Sequence, residues 1–154
     1  MSAGSPSARL GQLGVALPQV AAPLASYVPA VRTGNLVYTS GQLPIEGGKL
    51  AGTGKVGGDI SPERGKALAR ICALNALAAV ESVVDIDAVT RVVKVVGFVA
   101  STPGFNGQPS VINGASDLLA EVFGDNGAHA RSAVGVSELP LNAPVEVELI
   151  VEVG

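Results

Sequence analysis

Apolar and polar positions follow two different periods along this chain. From Ser61 to about Val83, residues Leu68, Ile71, Cys72, Leu74, Leu77 and Ala78 recur at intervals of three and four, which gives a helix one broad buried face. Its start is marked by Ser61-Pro62-Glu63: a serine that caps free N–H groups, a proline that loses no bond at the first helical position, and an acid that suits the positive end of the helix dipole. Cys72 falls on the buried face and reads as core packing. A second helix is expected over Ser110–Phe123, with Pro109 before it and Gly124-Asp125-Asn126-Gly127 after it.

Elsewhere the period is that of strands. Tyr27–Arg32 and Asn35–Leu43, separated by Thr33-Gly34, suit a hairpin, and Gly41 and Pro44 mark where its second run ends or bulges. The stretch from Gly47 to Gly58, six glycines in twelve positions, reads as a loop with one short strand around Lys49-Leu50. Val89–Ala100 is a Val-rich strand that reads as buried in the middle of a sheet, and Arg131–Glu138 and Val145–Val153 are two more, joined by a loop holding Pro140 and Pro144. Ala8–Val15 forms a short helix ended at Leu17-Pro18, and Pro23 and Pro29 keep the following segment extended. Residues 1–20 therefore read as an N-terminal extension and 21–154 as one domain.

The order ββ(β)-α-β-α-ββ describes an α/β (α+β) fold, a single sheet with two helices packed on one face. A sheet covered on one side should alternate, and Val145-Glu146-Val147-Glu148 does; Val92–Val99, by contrast, is apolar on both faces except for Lys94. The second face needs a partner. Burial of about 800 Å² per subunit is ordinary for a specific interface, so sheet-to-sheet packing in a closed ring is the economical solution.

Composition narrows the function. Hydrophobic residues make up 47% of the chain and charged ones 15%, with no Trp, so the core is built from Val, Leu, Ile and Ala. Ten basic against 13 acidic residues, with no Lys/Arg cluster, leave no footprint for nucleic acid. One cysteine excludes an internal disulfide, and one histidine leaves too few N and S ligands for a zinc site. Neither a signal peptide nor a membrane span is expected, which together with the lone cysteine fits a cytoplasmic protein.

The run Ala128-His129-Ala130-Arg131-Ser132-Ala133-Val134-Gly135-Val136-Ser137-Glu138-Leu139-Pro140, followed by Val145-Glu146-Val147-Glu148, resembles the C-terminal signature of the RidA/YjgF/UK114 family. Tyr27, Gly34-Asn35-Leu36-Val37, Ser40-Gly41-Gln42, Gly57-Gly58-Asp59 and Asn113 extend the resemblance over residues 21 to 153. It implies a chorismate-mutase-like fold assembled as a homotrimer with clefts between subunits, and hydrolysis of reactive imines such as 2-iminopropionate to a 2-oxo acid and ammonia, with no cofactor. Arg131 matches the arginine that holds the substrate carboxylate, a task suited to a planar, permanently charged fork. Glu146 matches a glutamate that orders or activates water; Tyr27, Ser40, Gly41, Asn113 and the backbone carbonyl of Ala133 match other site positions. This chain departs from the pattern with Ala133 in place of a usual Cys, Ser116 in place of Tyr, and His129 just before the arginine.

If the last two strands form a hairpin around residues 141 and 142, Arg131 pairs near Glu152 and Glu146 near Ser137, leaving the two about 20 Å apart within one chain. They would then meet only across a rotational interface.

Each residue also has a plainer reading. Arg131 can belong to a structural ion pair, Glu146 to a solvated face, and Tyr27 to the sheet's edge. His129 shares a side with Arg131 on an extended chain and so lines the same pocket, or merely supplies loop polarity. Ser40 as a nucleophile lacks a glycine-flanked elbow, and Cys72 lacks a cationic neighbour to lower its pKa. Three functions follow: an imine deaminase, a non-catalytic trimer that binds or senses a small carboxylate, or a ribonuclease, which the negative net charge and single histidine disfavour.

Overall fold

A computed structural model describes residues 4–20 and 26–154. The extended segment expected at Pro23, part of the expected domain start at residue 21, and the first three residues lie outside this range. The elements follow the expected order: α1 (Pro6–Gln12), β1 (Ala30–Thr33), β2 (Leu36–Thr39), β3 (Ile45–Glu46), β4 (Lys49–Leu50), α2 (Pro62–Glu81), β5 (Val89–Ala100), α3 (Gln108–Phe123), β6 (Ala130–Val136) and β7 (Val145–Val153). Strands β1, β2, β7, β5 and β6, in that spatial order, make one mixed sheet, and β3 pairs with β4 as a separate ribbon.

Both long helices begin with chemistry legible in the chain. Ser61 caps α2 by accepting from the Arg64 amide, with Pro62 in the first turn. Pro109 likewise sits inside the first turn of α3, so that helix starts two residues earlier than expected. The two lie on one face of the sheet. Leu68, Leu77, Ile112, Leu118 and Leu119 are fully buried there against Val92, Val95, Val147, Leu149 and Val151. Gly97 lets α3 approach closely, because Ile112 fills the place a side chain would take. The buried Asn75 of α2 donates to the carbonyls of Leu43 and Ile45 at 3.1 and 2.9 Å, tying the β2–β3 connection to the helix layer.

The expected pairing of the last two strands is wrong. β5 lies between them, running parallel to β6 and antiparallel to β7. The reason is in the same residues that raised the question of the second face: β5 is the longest strand and apolar almost throughout, so it takes an interior place with a neighbour on each side. α3 supplies the crossover that a parallel β5–β6 pair requires. Between β6 and β7, Leu141 and Asn142 adopt left-handed φ values of 59° and 61° and turn the chain across the end of β5 instead of back along β6.

Other boundaries differ as well: β1 starts at Ala30 instead of Tyr27, and β6 ends at Val136 instead of Glu138. β2 ends at Thr39 instead of Leu43: Tyr38 pairs with Ile150 and Gln42 with Val147, so this side carries one extra residue, a bulge at Ser40-Gly41. The Thr39 hydroxyl accepts the Leu149 amide at 3.0 Å where the ladder is interrupted. α1 starts at Pro6 and buries Leu10 in the main core, while Ser7 holds the Asp87 carboxylate through its amide and hydroxyl at 2.8 and 2.5 Å. Among the described residues no helix is long and apolar enough to cross a membrane, and no cluster of His, Cys, Asp and Glu is arranged to hold a metal.

Candidate functional site

The predicted site residues fall into two groups on opposite faces of the sheet. In β6, Arg131, Ala133 and Gly135 pair with Val95, Gly97 and Val99 of β5, whose side chains face the helices, so Arg131 projects from the sheet's edge beside α3. Asn113 meets it there. The half-buried guanidinium donates from Nη1 to Asn113 Oδ1 at 2.7 Å and to Ser116 Oγ at 3.2 Å. Among the described residues no carboxylate stands within ion-pair distance of Arg131. Its charge is met by neutral acceptors alone, which leaves Nε and Nη2 for an anion.

Ser116 and His129 complete this group. His129 Nε2 lies 2.9 Å from Ser116 Oγ, and its Nδ1 lies 2.6 Å from the Gly127 carbonyl oxygen. In the sequence Ser116 stood out only as a departure, yet its spacing of three from Asn113 on one helix was the signal that both share a face.

The second group lies at the bulge of β2. Glu146 alternates with the buried Val145 and Val147 and therefore faces away from the helices, opposite Phe98 of β5. Its carboxylate lies against the backbone of Gly41, and a methyl group at that position would overlap it. Ser40 donates from its hydroxyl to the Val28 carbonyl at 2.6 Å, fixing the segment that carries the exposed Tyr27. Burial, and secondly the like charge of Glu148, raise the Glu146 pKa above the ordinary carboxylate range.

Glu146 also raises the pKa of Cys72, though burial is the larger cause. With its sulfur 3.7 Å from the Val145 carbonyl, Cys72 is a core residue and no thiolate nucleophile.

Within one chain the two groups cannot meet. Through β5, Arg131 is level with Leu149 and Glu146 with Val134, an offset of three residues, or about 10 Å along the strands, and two strand spacings, again about 10 Å, across them. The hairpin register predicts a longer separation, about 20 Å. What keeps them apart is the sheet itself.

Residues 7–153 match the family model described as "YjgF/chorismate_mutase-like, putative endoribonuclease". The chain belongs to the RidA/YjgF family. It is 44% identical to Protein TCP17 of Trypanosoma cruzi, over 99% of this chain and 96% of that protein. It is 34% identical to a protein of Dermatophagoides farinae named 2-iminobutanoate/2-iminopropanoate deaminase, over 89% of this chain and 93% of the relative. The crystal structure of the protein Atu1372, of unknown function, from Agrobacterium tumefaciens superposes with a TM-score of 0.89 at 48% identity, covering 97% of this chain and 92% of that one. The YjgF-type fold, one main sheet with helices packed on it, thus extends over nearly the whole chain.

Proposed function

We propose that this protein is a cofactor-free hydrolytic deaminase of reactive imines of the 2-iminopropionate type, acting as a homotrimer with its sites between subunits. The observation that carries the reading is the division of the site into two incomplete halves: a guanidinium with no counter-ion among the described residues on the helix side of β6, and a half-buried carboxylate on the open face of β7. A neighbouring subunit that presents its Glu146 to this chain's Arg131 makes a whole site from the two halves. The open face around Glu146 suits such a neighbour, since exposed Val31, Tyr38 and Val134 flank the partly covered Val96, Phe98 and Ile150.

In this reading the substrate carboxylate lies on Nε and Nη2 of Arg131, which orients the imine carbon toward a water at Glu146. The water oxygen bonds to that carbon as Glu146 takes a proton from it. The same proton goes on to the nitrogen and gives a carbinolamine; Glu146 then takes the carbinolamine's hydroxyl proton and hands it to the nitrogen as the C–N bond breaks, so that ammonia leaves a 2-oxo acid. A raised pKa suits this relay, because an ordinary carboxylate holds a proton too weakly near neutral pH to hand it on. The relative named as a 2-iminobutanoate/2-iminopropanoate deaminase is consistent with this chemistry.

The test is subunit complementation. Arg131→Ala and Glu146→Gln should each lose at least about a hundredfold in turnover of enzymatically generated 2-iminopropionate, the order expected for removing a charged binding or proton-transfer group. Unfolded together and refolded as a mixture, they should regain part of the activity, since some interfaces then combine two intact halves. Two inactive variants that stay inactive on mixing would rule out the shared site. Carboxylate binding at Arg131 without turnover by the wild type would leave a small-carboxylate sensor as the function.

A further inference from the structure

The hydrogen bonds behind Arg131 have a direction, and we infer that His129 and Ser116 are positioning residues that set which edge of the guanidinium meets the carboxylate. The inference rests on the reading of Arg131 as a carboxylate clamp. The Gly127 carbonyl can only accept, so His129 Nδ1, at 2.6 Å, carries the proton. Nε2 of the neutral ring is then an acceptor, and the Ser116 hydroxyl, at 2.9 Å, donates to it. That donation commits the serine hydrogen and leaves the Ser116 oxygen free to accept from Arg131 Nη1 at 3.2 Å.

Asn113 Oδ1 takes the other Nη1 hydrogen at 2.7 Å. Both hydrogens of Nη1 are thereby held from behind, and the pair that remains parallel and free is Nε–H with Nη2–H, the fork that fits the two oxygens of a carboxylate.

Removing the ring breaks the chain at its source. Without an acceptor at Nε2, the Ser116 hydroxyl rotates freely and can turn its hydrogen toward Arg131 or compete for Asn113 Oδ1. The guanidinium then loses one of two anchors and swings, and the cost falls on ligands that need both of its free N–H groups. A neutral ligand of the same shape does not feel it. His129 thus acts on Arg131 from two bonds away without touching the substrate.

Calorimetric titration of the assembled protein with 2-oxobutanoate and with its primary amide tests this. His129→Ala and Ser116→Ala should each weaken 2-oxobutanoate roughly tenfold, or about 1.4 kcal/mol, and leave the amide unchanged. Ser116→Thr, which keeps a hydroxyl at the same place, should bind like the wild type. Nitrogen NMR of the imidazole under mildly alkaline conditions should find the proton on Nδ1, with the Nε2 resonance moving in Ser116→Ala.

Wild-type affinity for 2-oxobutanoate in His129→Ala, or a proton found on Nε2, overturns the inference while Arg131→Ala still abolishes binding. Equal losses for acid and amide mean a merely structural role and overturn it too. Undiminished 2-oxobutanoate binding in Arg131→Ala removes the clamp itself, a separate failure that takes this inference with it.

Discussion

The two faces of the central sheet are built from alternate residues of the same strands, yet they solve different problems. On the helix face Val92, Val95, Val147, Leu149 and Val151 are sealed under α2 and α3. On the other face the same strands place Glu146, Glu148 and Lys94 among Val96, Phe98, Ile150 and Tyr38, and none of these is fully buried. Apolar residues on the first face hold the chain together. On the second they surround a carboxylate whose pKa is raised by burial first and by the charge of Glu148 second. A strand such as β5, apolar toward both sides, therefore serves stability with one set of side chains and, in the proposed trimer, would meet a neighbouring subunit with the other.

Substitutions on each face separate these roles. The largest loss of stability is expected from Leu119→Ala, which opens a cavity under the helix layer and should cost about 2–5 kcal/mol in a urea titration. Phe98→Asp, on the open face, should change the stability of the isolated subunit by less than about 1 kcal/mol but, if the proposed trimer forms through this face, shift sedimentation from trimer to monomer. A variant that stays trimeric would mean that this face is not the interface.

The smallest effect is expected from Glu146→Gln. A folded-state pKa above the unfolded value means that the folded chain holds its proton more tightly, so stability is greatest below the ordinary carboxylate pKa and declines as pH rises through the raised value. The amide should remove that decline, seen as a slightly higher Tm at neutral pH and a flatter Tm profile. An unchanged profile would assign the pH dependence to other groups.

Legibility in the sequence followed the range of the interaction. β5 and β7 begin and end where their composition says, at Val89–Ala100 and Val145–Val153, because periodicity along one strand is local information. α2 was equally plain from Ser61-Pro62 and its apolar stripe. Which strands pair is not local: β6 and β7 are neighbours in the chain and separated in space, and only the need to bury both sides of β5 hinted at it. The site divided in the same way. Arg131 and Asn113 were singled out by their match to the family pattern, whereas the hydrogen bond between Ser116 and His129 depends on a turn at residues 124–127 that brings an imidazole over a helix, and their separation of 13 residues reveals nothing of that.

The strand at the centre of the sheet is also the one that follows all the others in the chain. Before β7 is in place, β1–β2 and β5–β6 are separate pieces with no ladder between them. A ribosome translating this chain therefore makes both wings of the sheet before it makes the strand that joins them. Chain collapse can begin early, but completion of the sheet waits for residues 145–153. Glu146 arrives with that strand, so the carboxylate of the open face takes its place only in the step that closes the fold.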